Sequence, residues 1–277
     1  MMDIRLIALD MDGTLLTTDK RLTDRSRRAL ERVNARGIIV VPTTGRIFVG
    51  LPQEIRALSF LRYAVTSNGA TVYDVARDET IYRAEIPAAQ AVEILQWLDD
   101  FPVIYDCYMD GRGWMTEAMW NQAEIYAPSK YYLQMIRTLR KPVPELKAFL
   151  RQRGSDVQKL QAFSREDALR QRLLRELPRR FPGLAVSSSG PNNVEINHGD
   201  ANKGAALLAL ARHLGLERRQ ILAFGDGLND ISMIRAAGFS VAMGNAIDEL
   251  KREADRIAPG NDEDGVAQVL EALFPDV

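Results

Sequence analysis

Asp10 and Asp12 stand one residue apart at the end of the apolar run 4–9, and the chain turns at Gly13 directly after them. A carboxylate leaving a buried strand is costly to desolvate unless a cation or hydrogen-bond donors meet it. The plain alternative is a polar turn, since Asp and Gly are ordinary turn residues. An EF-hand loop shares the Asp-x-Asp spacing, but its twelfth position here would be Arg21 rather than Glu, and no helix precedes it.

Three other segments carry compatible chemistry. Thr44 and Gly45 follow a second apolar run and offer a hydroxyl and bare backbone N–H groups to an anion. Lys203 stands at a helix start, where backbone donors and the helix dipole already favour negative charge. Asp226, Asn229 and Asp230 lie in the Gly-rich turn 225–230 after a third apolar run. Oxygen donors of this kind suit Mg²⁺, which prefers octahedral geometry and keeps several waters. Singly, each segment has an ordinary explanation as a turn, a helix cap or a surface lysine. Together they put carboxylates, a hydroxyl, an amide and a lysine on adjoining loops.

The elements that must position these groups follow from hydrophobic periodicity. Residues 4–9 form a strand buried on both faces, as in a parallel sheet. Thr23 is placed to cap a helix running to Arg36, with Gly37 as its stop, and strands follow at 38–41 and 63–66. This β-α-β-α-β order predicts a parallel sheet with right-handed crossovers. From residue 71 the rhythm changes to short strands with scattered helices, the pattern of an α+β module on an antiparallel sheet. Ser164 to Asp167 has the form of a capping box, and 119–140 is aromatic-rich without clear periodicity. From Asn202 the parallel pattern returns. The expected organisation is an α/β core built from 1–85 and 189–277, with an α+β cap domain inserted at 86–188.

The four segments in this order resemble the haloacid dehalogenase superfamily, and specifically its Cof-like phosphatases. Asp10-x-Asp12-Gly-Thr is similar to that family's first motif, Thr44 to its second, Lys203 to its third, and Gly225-Asp226-x-x-Asn229-Asp230 to its fourth; Ser67-Asn68-Gly69-Ala70 matches a further segment. The resemblance implies a Rossmann-like parallel core and a Mg²⁺-dependent phosphatase that hydrolyses small soluble phosphomonoesters through an aspartyl-phosphate. It implies Asp10 as nucleophile and Asp12 as general acid/base. Asp10, the Asp12 backbone carbonyl and Asp226 would bind Mg²⁺. Met11, Thr44, Gly45, Lys203 and Asn229 would hold the phosphoryl oxygens, with Asp230 orienting Lys203 or a metal-bound water. Asp10 to Thr44 spans one βαβ crossover, roughly 30 residues. Thr44 to Lys203 is several times longer, so the insertion resembles the family's larger α+β cap, type C2B. A non-catalytic phospholigand-binding regulator and a phosphotransferase to a non-water acceptor are the alternatives.

Bulk composition narrows the rest. The 277 residues carry a formal net charge of −1, which gives no whole-chain bias towards nucleic acid or an anionic membrane. Cys107 is the only cysteine, so no intramolecular disulfide can form, and the longest run without a charged residue, 181–194, is too short to span a bilayer, as is the more apolar run 236–247. There is no Walker loop, no Gly-x-Ser-x-Gly and no complete dinucleotide fingerprint. The expectation is a cytoplasmic enzyme, a monomer or weak homodimer, whose partner is a small-molecule phosphomonoester.

Overall fold

The computed structural model describes residues 3–275. Contacts divide the chain into two compact units, one of Met1–Arg46, Leu51–Arg83 and Asn202–Val277, the other of Ile47–Gly50 and Ala84–Ala201.

The first unit is built on a five-stranded parallel sheet in the order Arg256–Ile257, Phe239–Ala242, Ile221–Gly225, Leu6–Leu9, Ile39–Pro42. Leu6–Leu9 lies inside the sheet and all four of its residues are buried, which is why its sequence is a continuous apolar run rather than an alternating one. Thr23 caps the helix Asp24–Ala35 as expected, its side chain accepting the Ser26 N–H. Tyr63–Thr66 forms where a third parallel strand was expected, but it pairs antiparallel with Thr71–Asp74, which pairs in turn with Glu79–Arg83. It meets the parallel sheet through a single parallel bridge, Thr43 to Val65. The physical cause is the tight turn at 67–70, which reverses the chain at once and commits the strand to its hairpin partner.

The second unit carries a six-stranded sheet in the order Leu184–Ser187, Asn193–His198, Lys159–Ser164, Val103–Met109, Arg112–Thr116, Arg140–Val143. All neighbours are antiparallel except the last pair. Alternation along Val103–Met109 sorts its side chains. Val103, Tyr105, Cys107 and Met109 pack with residues of the helices Ala88–Leu98, Leu146–Arg153 and Asp167–Arg180, while Ile104 packs with Ala123 and Ile136. The aromatic-rich stretch resolves into two helices, Glu117–Tyr126 and Lys130–Leu139, capped by Thr116 and Ser129. The capping box anticipated at Ser164 does not form. The Ser164 hydroxyl bonds to the Glu166 backbone, and the helix Asp167–Arg180 starts from Glu166 without a side-chain cap. Among the described residues, no helix is long and apolar enough to cross a membrane.

Candidate active site

Strand register decides which loops meet. Leu9 lies level with Phe224 on one side and with Pro42 on the other. The residues next in sequence, Asp10, Gly225-Asp226 and Thr43-Thr44, therefore emerge at one edge of the sheet, where α/β proteins bind ligands. Asp10 still donates its backbone N–H to Phe224 O at 3.1 Å, so the carboxylate starts from a rigid strand end.

Lys203 reaches the same edge from the first turn of the helix Lys203–His213. Its cap, Asn202, accepts the Ala205 N–H at 2.8 Å. Gly69 holds that helix start in place: it has φ +93°, and a Cβ there would lie 2.3 Å from the Asn202 carbonyl oxygen. Only a glycine allows this turn to pack so closely.

Lys203 has no exposed surface, and its Nζ donates to Asp10 Oδ1 at 2.5 Å and to Asp230 Oδ1 at 2.6 Å. The other oxygen of Asp230 accepts the backbone N–H groups of Asp226 and Gly227 at 3.0 and 2.9 Å, so this buried carboxylate ties the turn 225–230 to the lysine. Asp226 accepts the Thr14 hydroxyl at 2.7 Å. Gly13 (φ +94°) passes so close that a Cβ on it would lie 2.4 Å from Asp226 Oδ2.

Carboxylate oxygens of Asp10, Asp226 and Asp230 lie within 4.8 Å of one another. Burial, opposed by the Lys203 ammonium and reinforced by Asp230 and Asp226, raises the Asp10 pKa well above the ordinary carboxylate range. Burial also lifts Asp226, against the Thr14 hydrogen bond and with help from Asp230. Lys203 moves the other way from a typical buried amine: burial works to discharge it, but Asp10 and Asp230 raise its pKa and keep it an ammonium. Three acidic groups thus share one neighbouring positive charge. That imbalance, and an all-oxygen donor set, fit a hard divalent cation.

Asp12 is turned to different partners. Arg46 grips its carboxylate with a fork, Nε to Oδ2 at 2.9 Å and Nη2 to Oδ1 at 2.7 Å, and Lys20 Nζ lies 3.1 Å from Oδ1. Burial pushes the Asp12 pKa up, but Arg46 and Lys20 outweigh it and leave the group below its usual value. Thr44 is buried, with its N–H spent on Val65 O and its carbonyl accepting the Asn68 N–H, so the hydroxyl is the Thr44 group that faces other chemistry. That oxygen also accepts the Arg46 N–H at 3.2 Å. Asn229 Nδ2 donates to Asn68 Oδ1 at 3.3 Å, an amide-to-amide contact rather than a place in the acidic cluster. Met11 is buried, and its carbonyl accepts the Leu16 N–H.

The structure thus brings Asp10, Lys203, Asp226 and Asp230 together and holds Asp12 apart from them on Arg46. Thr14, Lys20, Arg46 and Asn68 were not expected. Arg46 follows Thr44-Gly45 directly, so its position was visible, but its contact with Asp12 depends on two loops meeting in space.

A second group of buried charges closes on itself. In the other unit, Arg140 pairs with Asp106 at 2.8 Å and Lys159 with Glu195 at 3.0 Å, each cation matched to a carboxylate. Matched buried pairs of this kind are structural by default.

A family model for haloacid dehalogenase-like hydrolases matches residues 7–270. The 5-amino-6-(5-phospho-D-ribitylamino)uracil phosphatase of Bacillus subtilis is 30% identical over 275 residues, covering 97% of this chain and 95% of that one. The HMP-PP phosphatase of Serratia proteamaculans is 32% identical over 253 residues, covering 89% and 86%. The crystal structure of a haloacid dehalogenase-like hydrolase from Bacteroides thetaiotaomicron superposes with a TM-score of 0.85 at 28% identity, covering 98% of this chain and 100% of that one.

Proposed function

This chain belongs to the haloacid dehalogenase-like hydrolase family, and from that premise we propose that it is a Mg²⁺-dependent phosphatase of small soluble phosphomonoesters, working through an aspartyl-phosphate on Asp10. The observation that carries the reading is the contact of Lys203 with both Asp10 and Asp230, beside Asp226, at one sheet edge. The names of the two relatives, both phosphatases, support the same reaction class.

Asp10 attacks phosphorus, and the bond from phosphorus to the ester oxygen breaks as Asp12 delivers a proton to that oxygen. Water then attacks the acyl phosphate, Asp12 takes its proton, and Asp10 is restored. The Thr44 hydroxyl, the backbone N–H groups of Met11 and Gly45, the Asn229 amide and the Lys203 ammonium hold the phosphoryl oxygens, and electrostatic positioning of this kind carries most phosphoryl transfer. Asp10, the Asp12 backbone carbonyl and Asp226 would hold Mg²⁺, which when bound would supply positive charge that offsets the repulsion between the nucleophilic carboxylate and the phosphoryl group. That charge also answers the elevated pKa of Asp10, since a nucleophilic carboxylate has to be ionised.

The test is hydrolysis of 4-nitrophenyl phosphate by wild type and Asp10→Asn, each with Mg²⁺ and with EDTA. Turnover that needs both Asp10 and Mg²⁺ supports the proposal. Equal turnover by Asp10→Asn would refute it, and phosphate binding without turnover by wild type would favour a phospholigand-binding regulator.

A further inference from the structure

The contact between Asp12 and Arg46 has no role in the mechanism above, yet its geometry is specific. Two nitrogens of the guanidinium meet the two oxygens of the carboxylate, at 2.9 and 2.7 Å. Such a planar fork fixes the plane of a carboxylate as well as its position. Lys20 differs: it approaches one oxygen, at 3.1 Å, as a point charge on a side chain with 37% exposure. The Arg46 side chain is 14% exposed. Its residue is fastened at both ends, the N–H on Thr44 Oγ1 and the carbonyl on the Ser67 N–H. Asp12, by contrast, follows the strand end in a loop and keeps 34% of its side chain exposed. The direction of this carboxylate is therefore set from the Thr44-Gly45-Arg46 loop and not from its own.

We propose that Arg46 is the positioning residue of Asp12: its guanidinium fork aims the carboxyl group at the ester oxygen, so that the proton arrives as the bond from that oxygen to phosphorus breaks. Because the same fork holds Asp12 as a carboxylate in the free protein, that proton enters with the substrate as the phosphomonoester monoanion and passes through Asp12 to the ester oxygen. The inference rests on the acid/base reading of Asp12. It couples two duties in one loop, because the segment that offers Thr44 and Gly45 to the phosphoryl group also aligns the proton donor with the departing oxygen.

Leaving-group dependence separates this role from a merely structural one. The probes are ring-substituted phenyl phosphates running from 4-nitrophenyl, which departs as a stable anion, to 4-methoxyphenyl, which needs a proton. The quantity followed is kcat/KM, which reports the step in which the ester oxygen departs. A correctly aimed general acid contributes roughly 10²–10⁴-fold where a proton is needed, and Asp12→Asn should lose about that much on the 4-methoxyphenyl ester and far less on the 4-nitrophenyl ester. Misplacing a group by about 1 Å can cost on the order of 10²-fold. Arg46→Met should therefore show the same steepened dependence with roughly 10–100-fold loss at the poor leaving group. Arg46→Lys keeps the charge and gives up the fork, and should fall with Arg46→Met; it also serves as the second variant if Arg46→Met does not fold.

A steep dependence in Asp12→Asn with an unchanged, shallow one in both Arg46 variants would overturn the inference and leave the phosphatase reading intact. An equal loss on all esters in the Arg46 variants would do the same, since it would mark Arg46 as a phosphate ligand. A shallow dependence in Asp12→Asn would remove the acid/base reading and the inference together.

Discussion

Replacing Lys203 by methionine removes the ammonium that holds Asp10 and Asp230 while keeping much of the side-chain volume. The lysine has no exposed surface, and its partners retain 9% and 1% of theirs, so water cannot take over its contacts. Breaking a buried ion pair by deleting one partner costs about 3–5 kcal/mol, because a charge is left buried without compensation. Lys147→Met is the control. Its partner Asp99 is 43% exposed, and a pair of that kind is worth about 0–1 kcal/mol after screening. For a domain of this size, each kcal/mol shifts the melting temperature by about 2–4 °C, so Lys203→Met should melt roughly 6–20 °C below wild type in EDTA.

The deficit should also depend on pH. Asp10 already has a raised pKa in the folded protein, and losing the ammonium raises it further. A carboxyl whose folded pKa lies above its unfolded value favours folding at low pH and loses that contribution as pH rises through the folded value. The melting difference should therefore be small near pH 5 and grow towards pH 8, and Mg²⁺ should recover part of it. Differential scanning calorimetry across that pH range is the assay. A Lys203→Met protein melting within about 2 °C of wild type at pH 8 in EDTA would refute the electrostatic account of the cluster.

Two further outcomes follow from the loops. Gly69→Ala puts a Cβ 2.3 Å from a backbone oxygen at a positive φ, so neither atom can swing aside; it should cost at least about 2 kcal/mol and lower turnover by shifting Lys203, and an unchanged melting temperature would contradict the packing described. Asp262 accepts both the N–H and the hydroxyl of Thr18, and these bonds hold its carboxyl below the ordinary range. A group with a depressed folded pKa stabilises above its unfolded value and stops doing so as pH falls through the folded one. Asp262→Asn should therefore melt below wild type at neutral pH, with the two curves converging below about pH 4; a gap that persists in acid would rule out this origin.

The parallel core was legible because residues 6–9, 38–41 and 221–224 are apolar without alternation, and chemistry placed at their carboxyl ends can only converge. Register does the rest, so Asp10, Lys203, Asp226 and Asp230 could be nominated without coordinates. Arg46, Lys20 and Thr14 could not, because their partners are fixed by the paths of loops, which no periodicity records. Asn68 escaped for a similar reason: it stood out only within the family-like segment Ser67-Asn68-Gly69-Ala70, with no role attached, and its amide contact with Asn229 joins loops far apart in sequence. The antiparallel turn of Tyr63–Thr66 was hidden because a short buried strand has the same composition in either orientation. The helices of 117–139 were obscured by aromatic residues, of which Trp120 and Tyr126 are partly buried while Tyr131 and Tyr132 are exposed, so that no single clean stripe results.

Besides Arg46 on Asp12, Asp226 on Thr14 and Glu54 on Leu22, the loop that leaves Asp10 is fastened by residues from the last part of the chain. Asn245 donates to the Gly13 carbonyl, Asn261 to that of Leu16, Asp262 takes Thr18, and Asp264 takes the Thr23 hydroxyl. Sequence drift around 245–264 can thus be felt as altered turnover with no reactant ever touched. Screens for tuning or impairing variants have reason to sample that distant stretch as densely as the aspartates themselves.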